Sequence, residues 1–320
     1  VSPRFARSSF ETRAVGAQAS AAFFLCSPSF MSTIIRAMEE RDLEQARHIF
    51  RVAFGTFLGV PDPENFRSDR DYYQRWHSDP MRAIVAEDGG HVVGSNLGTN
   101  WGSFGFFGPL TVHPDYWNQQ VGKALIGPVL DILAARGARD MGLYTFSNSP
   151  KHAGLYQSFG FWPRFLTAIM TKKPASVAAE FSLEATLDVA QFCDTIHAGL
   201  DVSAEVQAVR AQRLGKTIFI DGGFAVCHVG EGTEAGRSTC YVKFAASEPR
   251  AFDRLLNAIE SFAASQDCQV LEVGVNLSRI EAYQAMLQRG FRTLTQGVAM
   301  HRPNQPLYNR PGVYVLDDWR

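Results

Sequence analysis

A chain of 320 residues exceeds the usual size of one compact domain and reads as two domains of roughly 140 residues each. Its 31 Lys and Arg against 32 Asp and Glu give a net charge of -1. That supplies neither a basic field for a nucleic-acid backbone nor a polybasic run for a membrane surface, and no apolar run is long enough to span a bilayer. The five cysteines (Cys26, Cys193, Cys227, Cys240, Cys268) form no C-x-x-C pair and have no histidine spacing suited to zinc. We therefore expect reduced, mostly buried thiols in a cytoplasmic protein with no metal.

Residues 1–30 place Arg4, Arg7 and Arg13 ahead of the short apolar patch "ASAAFFLC". The patch is brief and no A-x-A site follows it, so the stretch reads as a disordered arm or a mis-assigned start. Beyond it, "TIIRAM" predicts a strand. Asp42 then stands as N-cap to a helix with Leu43, Ala46, Ile49, Phe50 and Ala53 on one face. "PDPENFRSDR" interrupts, "DYYQRWHS" predicts a second short helix, and Asp88-Gly89-Gly90 predicts a hairpin between "RAIVAE" and "HVVGSNLGT". The uncharged "FGFFGPLTV" reads as a strand buried on both faces. The helix "QVGKALIGPVLDILAARG" follows, with a kink expected at Pro128, then strand "MGLYTF", a helix over "SPKHAGLYQSF" closed by Gly160, and strand "RFLTAIMT". After the linker "KKPASVAAE" the order recurs. A helical stretch over 187–213 leads to a hairpin at Asp221-Gly222-Gly223, strand "TCYVKFAA", helix "EPRAFDRLLNAIESFAAS", strand "VLEVGVN", helix "RIEAYQAMLQRG" and strand "FRTLTQGVAM".

The strand end "VHPDYWNQQVGKAL" carries most of the chemistry. Unpaired amides and partial positive charge at the first turn of a helix bind a diphosphate, and small residues at 122 and 124 permit close approach; the competing reading is an ordinary capped helix. Gln119, Gly122 and Ala124 as Q-x-x-G-x-A, Val112-His113-Pro114 at the strand end, and Leu155, Tyr156, Gly160 and Phe161 on the following helix occur in an order that resembles the GNAT N-acetyltransferase superfamily. The resemblance covers residues 32–172 and, more faintly, 178–303. It implies an α/β (α+β) fold of two tandem GNAT-like domains, each a mixed central sheet flanked by helices, with 304–320 as a tail.

It also implies acetyl-CoA as cosubstrate, held by backbone groups of Leu110, Thr111 and Val112 along its pantetheine arm and by Gln119, Gln120, Val121, Gly122, Lys123 and Ala124 at its pyrophosphate. Lys123 either adds a point charge there or stays solvated. Tyr156 is implied as the general acid that protonates the departing thiolate, against the alternative of a packed tyrosine. The family's strand glutamate is missing from "SFGFFGPLTV" and His113 sits in a turn, so the base stays open between a water relay and an amine that arrives neutral.

Counting back from Gly290 as Gly122 stands to Gly160 sets Phe252 at the glycine position, Pro249 and Arg254 at those of Gln119 and Ala124, and Met286 at that of Tyr156. The second copy is thus degenerate, packing against the first and shaping an acceptor pocket, while the tail "HRPNQPLYNRPGVYVLDDWR" is expected to wrap the surface rather than form a strand. Three functions fit: acetyl transfer to a small-molecule primary amine, a non-catalytic acyl-CoA-binding regulatory module, or a protein N-acetyltransferase. The last needs an acidic groove, for which Asp62, Glu64, Asp69 and Asp71 with Tyr72, Tyr73 and Trp76 are the candidates.

Overall fold

The computed structural model describes residues 33–78 and 81–320, and Thr33–Arg320 forms one compact unit. The arm read over 1–30, with Cys26, lies outside the described residues. In chain order the first half holds β1 (Ile34–Ala37), α1 (Leu43–Leu58), β2 (Met81–Asp88), β3 (His91–Trp101), β4 (Phe104–Phe107), β5 (Thr111–Val112), α2 (Val121–Ala135), β6 (Asp140–Phe146), α3 (Pro150–Gln157) and β7 (Trp162–Lys172). The second half holds α4 (Val189–Ile196), α5 (Ser203–Ala211), β8 (Gly215–Ile220), β9 (Gly223–Gly230), β10 (Gly236–Ser247), α6 (Phe252–Ser265), β11 (Val270–Asn276), α7 (Ile280–Gln288), β12 (Arg292–Arg302) and β13 (Val315–Leu316).

The period-2 alternation of β2 divides the first core. Ile84 and Ala86 pack with Leu125, Ile126 and Val129 of α2, while Ala83 and Val85 pack with Leu43, Ala46, Ile49 and Phe50 of α1, so the two helices cover opposite faces of the sheet. Burying each such aliphatic side chain is worth roughly 1.5–3 kcal/mol. Gly89 and Gly90, at φ 56° and 85°, make the two-residue hairpin turn expected between β2 and β3. The stretch read as one strand over "FGFFGPLTV" is split at Gly108-Pro109 into β4 and β5, and α2 runs unbroken through Pro128. Asp42 does not cap α1 with its side chain; its carboxylate instead accepts the Glu39 amide at 2.7 Å and pairs with Arg36 at 2.6 Å, closing a short 3-10 turn ahead of the helix. "YYQRWH" is likewise a 3-10 helix, capped by Asp71.

The halves repeat with a fixed step. β6 and β11, α3 and α7, and β7 and β12 each begin 130 residues apart. Pairing crosses the repeat, because the strands follow the order β1-β2-β3-β4-β6-β12-β7-β11-β10-β9-β8. β12 of the second half is antiparallel to β6 of the first, and β7 of the first is antiparallel to β11 of the second. Each half thus completes its sheet with the other's closing strand, and the stretches 32–172 and 178–303 mark the repeat in the chain rather than two separable sheets.

The tail departs from expectation. It forms β13, antiparallel to β10, and Leu307, Tyr308, Val315, Leu316 and Trp319 are buried. Internal hydrogen bonds offset the burial of Asn309 and Asp317: Arg279 donates to Asp317 at 2.7 Å and to Asn309 at 2.9 Å, and Tyr308 donates to Asp317 at 2.7 Å. Cys193, Cys227, Cys240 and Cys268 are free and buried.

Candidate active site

β4 is parallel to β6 only over Phe104–Phe106 against Asp140–Gly142, after which the chain bends at Gly108-Pro109 and β5 pairs with β3 alone. The two strands therefore splay apart. The His113 amide donates to the Val93 carbonyl, and alternation along an antiparallel pair turns Thr111 toward Ser95 and leaves the peptide groups of Val112 and Leu110 on the side facing β6. One of these, the Val112 carbonyl, accepts the Trp117 indole N–H at 2.7 Å. The Thr111 hydroxyl is buried against Ser95 at 2.9 Å, so of the three residues assigned to the cofactor arm it is the one whose polar groups turn inward.

At the start of α2 the chain passes through left-handed geometry at Asn118 and Gln120 (φ 66° and 65°), and no side chain caps the helix. Gly122 is the informative residue. Its φ is not positive, and an added Cβ would meet only Val112 Cγ2 at 3.7 Å, so the fold itself does not require a glycine. A glycine in a helix costs about 1 kcal/mol against alanine, and here that cost leaves open space in front of uncapped amides. Gln120, Val121, Gly122 and Lys123 line the adjoining cavity, whereas Gln119 and Ala124 flank the turn without lining it, Gln119 donating to the Asp115 carbonyl at 2.8 Å.

Tyr156 lies on α3 with its ring against Phe107 and only 7% exposed. Burial pushes its phenol up to about 12, partly offset by the neighbouring Thr145 hydroxyl at the end of β6. It is thus a protonated donor throughout the neutral range. His113 does not line the cavity; its Nδ1 accepts the Asp115 amide at 3.3 Å, a turn role.

The cavity measures about 840 Å³ and reaches from the α2 turn past Leu110, Thr111, Val112, Thr145 and Tyr156 to an aromatic wall of Phe50, Phe54, Phe57, Phe66, Tyr72, Tyr144 and Phe146. The second half contributes Leu294, Thr295 and Gln296 from β12 and the tail contributes Trp319 and Arg320. Among the described residues no aspartate or glutamate side chain lines it. Of the proposed acidic groove only Tyr72 faces the cavity: Asp62 accepts from Asn65, Asp69 accepts the Arg237 amide, Asp71 pairs with Arg47, Tyr73 bonds Ser95 and Trp76 donates to Met38. Thr145, Arg67 and Arg320 were not singled out in the sequence. Thr145 was detectable through the 130-residue repeat, in which Val275 replaces it.

The second half has closed its corresponding site. Phe252 and Met286 are buried in the core, and Val275, also fully buried, stands where Thr145 stands, so both hydroxyls of the Thr145–Tyr156 pair are replaced by apolar groups. β10 pairs with β11 over Thr239–Val242, and beyond it β13 pairs with Ala245 and Ala246, so the edge that β5 leaves open is occupied by the chain's own tail.

Among the described residues no group of three His, Cys, Asp or Glu is placed to hold a metal, and no helix is long and apolar enough to cross a membrane. Residues 43–161 match the acetyltransferase (GNAT) family. An acetyltransferase of Yersinia pestis (strain Pestoides F) is 31% identical over 100 residues, 31% of this chain and 67% of the relative. One of Sodalis glossinidius is 32% identical over the same shares. Among solved structures, a putative acetyltransferase from Pyrococcus horikoshii superposes with a TM-score of 0.67 at 16% identity, covering 88% of this chain and 93% of that one. A tandem GNAT protein from the clavulanic acid biosynthesis pathway does so with a TM-score of 0.52 at 13% identity, covering 84% and 98%.

Proposed function

The chain belongs to the GNAT acetyltransferase family, and from that premise we propose that its first half transfers an acetyl group from acetyl-CoA to the primary amine of a small molecule. The observation that carries this reading is the unexplained glycine: Gly122 gives the fold nothing, yet clears space before the uncapped amides of α2, beside the strand end at Leu110–Val112 that no neighbouring strand covers on its β6 side. Those features fit a diphosphate followed by an amide-bearing arm. When bound, acetyl-CoA supplies an activated acetyl thioester.

The chain's own residues then do the rest. The amides of Val121, Gly122 and Lys123, with Gln120 at the entrance, hold the pyrophosphate, and Lys123 and Lys151 at the rim add positive charge. The Val112 amide and the Leu110 peptide groups orient the arm. As the amine nitrogen bonds to the acetyl carbon and the carbon–sulfur bond breaks, Tyr156 donates its proton toward the departing sulfur, steadied by Thr145. With no aspartate or glutamate facing the cavity among the described residues, the proton lost by the amine leaves through water, or the amine enters neutral.

The missing carboxylate also favours a second reading, a binding module without turnover. An assay of free CoA released from acetyl-CoA across a panel of small primary amines separates the two. Release with at least one amine is expected, and bound acetyl-CoA with no release from any of them selects the module.

A further inference from the structure

We propose that Arg67, Tyr72 and Arg320 form a carboxylate subsite in the acceptor part of the cavity, so that the acceptor is a primary amine on an apolar or aromatic body that also bears a carboxylate. The inference rests on the acetyltransferase reading and narrows its substrate class.

The first observation is charge. Aromatic rings make up the acceptor wall, and among the described residues no aspartate or glutamate faces it whereas the guanidiniums of Arg67 and Arg320 do. Arg320 is already engaged, pairing with Glu272 at 2.8 Å and Asp318 at 3.0 Å, and Arg70 shares Glu272 at 3.0 Å. Arg67 differs: among the described residues it makes no ion pair, and its Nη1 donates to the Tyr72 hydroxyl at 2.9 Å. Arg67 is thus the guanidinium of this group that contacts no carboxylate, and it opens on the cavity.

The second observation is backbone. Arg67 is held at φ 47°, in the left-handed region that a long side chain rarely adopts, and it is half-buried rather than free to swing into solvent. Strain of this kind persists where the surroundings fix a functional geometry. The third is the response of Tyr72. Burial by itself raises a phenol, yet Arg67, Arg320 and Arg70 together hold this one below its ordinary value, so negative charge is favoured at its oxygen.

A polyamine or other bare cation would meet these guanidiniums with nothing to neutralise it. A carboxylate would accept from the Arg67 fork and from the Tyr72 hydroxyl while its apolar body packs on Phe50, Phe54 and Phe66.

Matched acceptor pairs test the subsite: phenylalanine with 2-phenylethylamine, leucine with 3-methylbutylamine, tryptophan with tryptamine, and spermidine as the polycation. The acid of each pair is expected to exceed its decarboxylated partner in kcat/KM by about 10- to 100-fold, the worth of one charge-assisted pair. Arg67→Gln should bring that ratio close to one, chiefly through KM, and leave the acetyl-CoA dissociation constant in place; Arg67→Lys should recover part of the preference. Equal or better turnover of the decarboxylated amines, preference for spermidine, or an Arg67→Gln effect that falls on acetyl-CoA binding overturns the subsite. If no amine releases CoA the acetyltransferase reading fails instead, and calorimetry still decides the subsite. N-acetylphenylalanine binding in preference to N-(2-phenylethyl)acetamide sustains it, and equal or absent binding refutes it.

Discussion

Replacing Tyr156 with phenylalanine deletes one oxygen from a ring that is 7% exposed and packed on Phe107, so ring packing survives. The stability cost is the lost polar contact of the phenol with Thr145, no more than about 1 kcal/mol. The catalytic cost follows from the phenol's environment. Burial holds it near 12, well above a thiol's roughly 8.5, so complete transfer to a free thiolate would be uphill by about 3.5 units, or roughly 5 kcal/mol. The phenol therefore contributes while the carbon–sulfur bond is breaking, as a hydrogen bond to developing charge worth about 1.5–3 kcal/mol, some 10- to 150-fold. General acids as a class contribute about 10² to 10⁴-fold, and the two ranges overlap near 10², which is the loss expected in kcat.

The assay is CoA release at saturating acetyl-CoA, read beside the acetyl-CoA dissociation constant, which should barely move. Thr145→Val should be milder, and the double variant should lose no more than Tyr156→Phe alone, because Thr145 acts only through the phenol. Raising pH through 10 should not inactivate the wild type, since the donor keeps its proton to about 12. A parallel loss of acetyl-CoA affinity, unchanged turnover, or additive losses in the double variant would refute the reasoning.

Two predictions concern stability. His228 is sealed beside Glu234 and Lys243, and burial lowers its ring to about 4. Between pH 6.5 and 4 the unfolded chain takes up a proton that the folded chain refuses, so stability is fully present above 6.5 and falls on acidification by roughly 3 kcal/mol. Urea unfolding of His228→Phe should show a correspondingly shallower loss over that window, and an unchanged slope would contradict it. Glu234 lies between Arg75 at 2.5 Å and Lys243 at 3.1 Å, all three buried, and Glu234→Gln leaves two cations facing each other; it should cost about 3–5 kcal/mol in the same assay. A loss under 1 kcal/mol would mean that water reaches the cluster.

Elements governed by local pattern were legible in the sequence. The apolar face of α1, the Gly89-Gly90 turn, the strand over 270–276 and the start of α2 follow from periodicity and turn chemistry, and the step from Gly160 to Gly290 anticipated the repeat that β6 and β11 obey. What depends on distant partners was not. Nothing near β7 or β12 announces that they exchange sheets, because the contiguous buried run in each would serve equally well beside either half. The tail's prolines and charges read as surface, and the buried charge of Asp317 is balanced by Arg279, far back in the chain. Asp42 has a capping residue's chemistry, but Arg36 and the Glu39 amide hold it first. Arg67 sits in an irregular loop where no period marks a functional residue, and its cavity exists only once β12 and the tail have closed over α1.

The central claim is one acetyl-CoA site per chain, placed at the first turn of α2, and a calorimetric titration of wild type and Gly122→Glu tests it most directly. The glutamate Cβ meets nothing closer than 3.7 Å in the protein, so the variant should fold with an unchanged or higher Tm, while its side chain sets bulk and negative charge where the pyrophosphate belongs. The account predicts a stoichiometry of one for the wild type and no binding for the folded variant. Two equivalent sites, or acetyl-CoA binding that survives Gly122→Glu, would contradict it.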